Sequence, residues 1–110
     1  MADVIKVVKG DELPIITLTL TDDVANTPLD LSNVNTTVSV KFRAVNTTTV
    51  LSTIACSKLN NGTDGKVTFN FTGGVLDVDE GMYEGEVSVV FPSGTQTVYD
   101  VLKFRVRSNF

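Results

Sequence analysis

The sequence predicts an all-β protein, an antiparallel sandwich of about seven strands, and three observations carry that expectation. Apolar and polar residues alternate with a period of two through several short runs. Those runs recur at intervals of roughly 8–15 residues, set apart by clusters of Gly, Asn, Asp and Pro. No helical period appears anywhere, Val and Thr dominate, and Trp and His are absent.

Residues 4–9 are expected to form a first strand. Its alternation breaks at Val7 and Val8, which predicts a kink or bulge of the kind that lets a first strand change sheet. A corner follows at 10–14, where Gly10 permits an unusual φ and Pro14 is barred from the middle of a ladder. The second strand turns Ile16, Leu18 and Leu20 inward and Thr17, Thr19 and Thr21 outward. After a loop over 22–28, Leu29 and Leu31 dip back to the core. The run 38–44 points Val38, Val40, Phe42 and Ala44 in, with Ser39, Lys41 and Arg43 out. A weaker strand surrounds 50–54. Residues 60–65 are dense in types that tolerate positive φ and make a turn. In 67–71, Val67, Phe69 and Phe71 face in while Thr68 and Asn70 face out. Residues 72–77 lead onward, with room for one helical turn.

The strongest signal lies in 77–91. From Tyr83 onward, Tyr83, Gly85, Val87, Val89 and Phe91 share one side, and Glu84, Glu86 and Ser88 the other. Asp79 and Gly81 precede Tyr83 as an acidic, glycine-containing corner. A Tyr placed so in an immunoglobulin-type sandwich bonds the backbone upstream and fixes the turn before its strand. The fold class therefore narrows to an immunoglobulin-like β-sandwich with a tyrosine corner at Asp79, Gly81 and Tyr83. Pro92–Gly94 is a hairpin. The last strand, 97–107, turns Leu102, Phe104 and Val106 inward and Lys103, Arg105 and Arg107 outward. Asp100 falls on the inward parity, so a bulge or strand end is expected near it. The whole of 1–110 is expected to be one domain.

Composition removes several function classes. A net charge of −4, from 9 basic and 13 acidic residues with no basic stripe, gives no reason to expect nucleic acid as a partner. Cys56 is the single cysteine, so no intramolecular disulfide can form, and it is read as a small buried hydrophobe. Gly85 stands two residues after Tyr83, where an antibody-type domain carries its second Cys. No basic-then-apolar leader and no long apolar run is visible, so a soluble protein made in a cytoplasm is expected, with no membrane partner. With no His and one Cys, no nucleophile–base pair and no zinc set can be assembled. The acidic groups Asp77, Asp79, Glu80 and Asp22, Asp23 could each hold a weak Ca²⁺, but the first lacks the spaced ligands of a calcium loop, and Asp79 is better read as a turn acceptor at the corner. Neither an enzyme nor a cofactor or metal is expected. Asn35, Asn46, Asn61 and Asn70 each begin an N-x-[ST] triplet, read as chance matches in a Thr-rich chain.

The outward residues then become the place to look. Set side by side, Lys41 and Arg43, Glu84 and Glu86, and Lys103, Arg105 and Arg107 form a plus, minus, plus face whose charges satisfy one another. The other sheet offers Thr17, Thr19, Thr21, Thr68 and Asn70, all neutral, and covering such a surface strips no ionised group of water. It is the candidate protein-docking face. Carbohydrate binding is the competing small-ligand reading, but sugar platforms need exposed aromatics, and only Tyr99 and Phe110 escape the inward parity or the corner.

One family likeness spans nearly the whole chain. Its elements are Lys9-Gly-Asp-Glu-Leu-Pro14 before an Ile/Leu/Thr strand, Pro28-Leu-Asp-Leu31 before a Val-x-Val-x-Phe-Arg strand, and Gly65-Lys-Val67. Gly81-Met-Tyr-Glu-Gly-Glu-Val87 and Phe104-Arg-Val106 complete it. In order and spacing this resembles the small N-terminal sandwich of phage baseplate upper (BppU-type) tail proteins and related Ig-like virion domains. The resemblance implies a docking module and a non-enzymatic structural subunit of a bacteriophage virion, on tail, baseplate or collar. Its partners would be other virion proteins, in multiple copies, assembled in the host cytoplasm. Because the chain stops at Phe110, a free-standing accessory subunit is the expectation. Capsid decoration or head-fibre anchoring, and a carbohydrate-binding adhesion module, stay open as alternatives.

Overall fold

The protein is described by a computed structural model over residues 4–22, 27–98 and 101–110. Those residues form the strands β1 (Val4–Val8), β2 (Ile16–Thr19), β3 (Thr21–Asp22), β4 (Thr27–Pro28), β5 (Thr37–Ala44), β6 (Ser52–Ala55), β7 (Ser57–Lys58), β8 (Lys66–Phe69), β9 (Gly81–Phe91), β10 (Gly94–Thr97) and β11 (Leu102–Arg107). The fold is an all-β sandwich. Its larger sheet runs β1-β11-β9-β5-β6, with β10 also on β9; the smaller runs β2-β8-β7, and β3 and β4 make a separate ribbon.

Burial follows the period-two expectation closely. Leu18, Val38, Val40, Phe42, Val67, Phe69, Val87, Val89, Leu102, Phe104 and Val106 are all buried in one cluster, as are Leu29 and Leu31 from the loop that dips inward. Phe104 joins the layers. Its ring centroid lies 5.4 Å from that of Phe42 on its own sheet, and 5.9 and 6.4 Å from Phe71 and Phe69 beneath the other. Gly85, next to Phe104, leaves no room for a side chain: a Cβ there would come within 2.9 Å of the Phe104 ring and of Val40 Cγ1. An apolar interior of this kind, burying whole Phe, Leu and Val side chains at ~1.5–3 kcal/mol each, is the main stabilising term.

The turn at 60–65 also docks inward. Gly62 O accepts the Leu31 N–H and Gly65 O the Leu20 N–H, both at 2.8 Å. Gly65 has φ +72°, and a Cβ on it would run into the Leu20 carbonyl, so this turn requires glycine.

The structure departs from the sequence reading at several places. β1 does not change sheet: it lies wholly in the larger one, parallel to β11, with Val7 buried and Val8 half-buried. The chain crosses after it, at Gly10, whose φ is +83° and whose N–H donates to Leu76 O. The strand that does switch is the weak one. Ser52–Ala55 pairs with β5, and Ser57–Lys58 pairs with β8, so the crossing occurs at Cys56. The final strand is two pieces, β10 and β11, taking successive halves of one edge of β9. β10 ends at Thr97 and β11 begins at Leu102; Val98 N–H still bonds Val87 O, while Tyr99 and Asp100 lie outside the described residues. Residues 72–76 form turns through Gly73 and Gly74 at positive φ instead of a helical turn.

Candidate functional site

The corner and the two outer faces can now be placed. Tyr83 is buried near the start of β9, where pairing with β5 begins, its ring stacked on Phe42 with centroids 5.0 Å apart. Its hydroxyl donates to the Asp79 carbonyl oxygen at 2.6 Å. The acceptor is backbone, not the Asp79 carboxylate, and Gly81 with φ +148° turns the chain between the two. Burial first, and then the negative charge of Asp79, push the Tyr83 phenol above its ordinary pKa.

The structure brings some of the neutral face together and separates the rest. Thr17 lies opposite Thr68, which lies opposite Ser57, making one row of hydroxyls across β2, β8 and β7. Thr19 is opposite Lys66, an exposed residue on the same face. The face is therefore not wholly neutral. Lys66 extends the strand by one residue before Val67, and its charge sits at the upper end of the patch. Thr21 belongs to the β3–β4 ribbon, opposite Pro28, and Asn70 lies one residue beyond β8, half-buried.

Sequence reasoning passed over an apolar extension of this face. Ile15 precedes β2 on the parity of Thr17 and Thr19 and is 63% exposed; Leu13 beyond it is 60% exposed. The available signal was Ile15, which continues the outward parity of Thr17 and Thr19. On the other edge of this sheet, Lys58 takes an inward parity and its ammonium donates to Asn33 O at 2.8 Å.

The charged face of the larger sheet pairs as its alternation implied. Lys41 lies opposite Glu86, and Glu84 lies between Arg43 and Lys103. Arg43 Nε and Glu84 Oε1 are 2.7 Å apart in a half-buried ion pair. Ser88, on the same outward parity, is nonetheless buried between Ser39 and Thr97. The parallel pairing of β1 adds what the sequence did not reveal. Lys6 falls beside Arg105, and Val4 and Val8 beside Lys103 and Arg107.

Of the aromatic rings among the described residues, Phe42, Phe69, Phe71, Tyr83 and Phe104 are buried and Phe91 is half-buried. Phe110 is exposed, with the Arg107 guanidinium 5.4 Å from its centroid. Tyr99 lies outside the described residues. Cys56 is half-buried at the sheet crossing, its N–H bonded to Val38 O, and burial pushes its thiol up to about 11. Among the described residues no group of three His, Cys, Asp or Glu converges to hold a metal ion, and no helix is long and apolar enough to cross a membrane. Neither the models of known protein families nor the curated proteins contain a match to this sequence.

Proposed function

We propose that this domain is a non-enzymatic docking subunit of a bacteriophage particle that binds neighbouring virion proteins through the outer face of β2 and β8. The observation that carries the docking surface is Ile15, a large apolar side chain 63% exposed at the end of the Thr17–Thr68–Ser57 hydroxyl row. Covering Ile15 removes apolar area from water at roughly 25 cal/mol per Å². Covering the hydroxyl row beside it costs no charge desolvation, and Lys66 can stay wet at the rim. The phage setting is supported by the order and spacing of the sequence elements that resemble baseplate upper proteins.

The test uses Ile15→Glu and Thr17→Glu, both at exposed positions. Each is expected to leave the circular dichroism spectrum and melting unchanged and to reduce incorporation of the chain into purified particles. Normal incorporation of both variants would move the docking site off this face.

A further inference from the structure

The larger sheet carries a second surface, independent of the threonine face. Because β1 lies parallel to β11, Lys6 sits directly beside Arg105, between Val4 next to Lys103 and Val8 next to Arg107. All four cations are exposed on one side of the sheet. The whole chain has 9 basic residues and a net charge of −4, so nearly half its cations gather on these two strands. The nearby carboxylates are engaged elsewhere: Glu84 holds Arg43 at 2.7 Å, and Glu80 accepts the Ser108 hydroxyl at 2.8 Å. Among the described residues, Lys6, Lys103 and Arg105 have no ion-pair partner. A groove of about 400 Å³ runs here, lined by Lys6, Val7, Val8, Arg105 and Arg107.

β1 is also a sheet edge. In a parallel ladder alternate residues turn both backbone groups to the same neighbour. Lys9 N–H bonds Arg107 O, so odd-numbered residues face β11 and the even-numbered Val4, Lys6 and Val8 turn outward. The Val8 carbonyl is taken by the Asp11 N–H, which leaves Val4 and Lys6 to offer backbone pairing. A second copy fits poorly: the antiparallel register that uses the full strand would set Lys6 against its own counterpart, and like charges directly opposite are destabilising.

We propose that the β1 edge binds an extended, acidic peptide segment of a partner protein. The segment adds a strand beside Val4–Val8, and its alternate carboxylates reach Lys6 and Arg105 across the outer face. Backbone pairing supplies the fit of a strand, and the unpaired cations select its charge. Nucleic acid would meet the same cations but makes no use of the free edge.

The experiment measures fluorescence anisotropy of the full chain with three labelled probes: an alternating Glu-Val peptide, its Lys-Val counterpart and a single-stranded oligonucleotide. The expected result is binding of the Glu-Val peptide alone, weakening as salt is raised. Lys6→Glu with Arg105→Glu is expected to weaken it about tenfold or more, with folding checked by circular dichroism. N-methylation of alternate peptide amides, in the frame that faces β1, should abolish it. No binding, binding that ignores the double substitution or the N-methylation, or preference for the oligonucleotide would overturn the proposal, as would a dimer in sedimentation that Lys6→Glu dissolves. Ile15→Glu leaves this binding unchanged, which keeps the two surfaces distinguishable.

Discussion

The hydroxyl of Tyr83 donates to the carbonyl oxygen of Asp79, 2.6 Å away and four residues upstream, while its ring stacks on Phe42. One side chain thus ties the 77–81 corner to the aromatic core. Tyr83→Phe keeps the ring and removes the bond, so a loss of ~0.5–1.5 kcal/mol is expected in urea denaturation. The phenol also titrates with a raised pKa in the folded protein. A proton held more tightly in the folded state gives stability that is whole below the unfolded value of about 10 and declines as pH rises through the folded value. The stability difference between wild type and Tyr83→Phe should therefore shrink above that pH. A difference that is flat or growing would contradict the geometry.

Gly85 is the tightest point of the interior. Gly85→Ala places a methyl 2.9 Å from both Phe104 and Val40, in a strand where glycine's φ is ordinary. Overpacking should outweigh the propensity gain and lower stability by ~1–3 kcal/mol, read as a lower midpoint in urea with an unchanged slope.

Thr36 is 1% exposed, and its hydroxyl has no hydrogen-bond partner among the described residues. An unpaired buried hydroxyl carries its desolvation cost without return. Thr36→Val should be neutral or stabilising by up to ~1 kcal/mol, whereas a loss of stability would reveal a partner for that oxygen.

Cys56 should alkylate slowly. With the thiol pushed up to about 11 by burial, little thiolate exists near neutrality. The rate with iodoacetamide should rise with a midpoint near 11 in the folded protein and near the ordinary 9.0 in urea. Equal midpoints would contradict its burial at the sheet crossing.

Much of this architecture could be read from the sequence, for a physical reason. A sheet with one wet face writes its orientation into every second residue; β11 obeys that rule from end to end, and β5 and β9 obey it except at their ends and at the buried Ser88. What alternation does not encode is which strand lies beside which. The parallel pairing of β1 with β11 joins residues about as far apart as the chain allows, and it alone turns a balanced charged face into a basic edge. Cys56 illustrates a second limit: burial alternates cleanly through 52–58, but the inward positions carry Ser52 and Lys58 beside Ile54 and Cys56, so residue type hides the period. Alternation yields Thr17, Thr19, Thr21, Thr68 and Asn70 as the candidate docking face, but residues at the strand ends change its chemistry. Lys66 and Ile15 fall one residue outside the periodic runs, and they bring a charge and an apolar surface that the threonines alone do not.

Quantitative mass spectrometry of phage particles purified from cells that express this chain tests the proposed role most directly. The chain is expected in fixed, multiple copies per particle, and Ile15→Glu is expected to lower that number. Its absence from the particles, or its presence only at trace levels that Ile15→Glu does not change, would contradict the account.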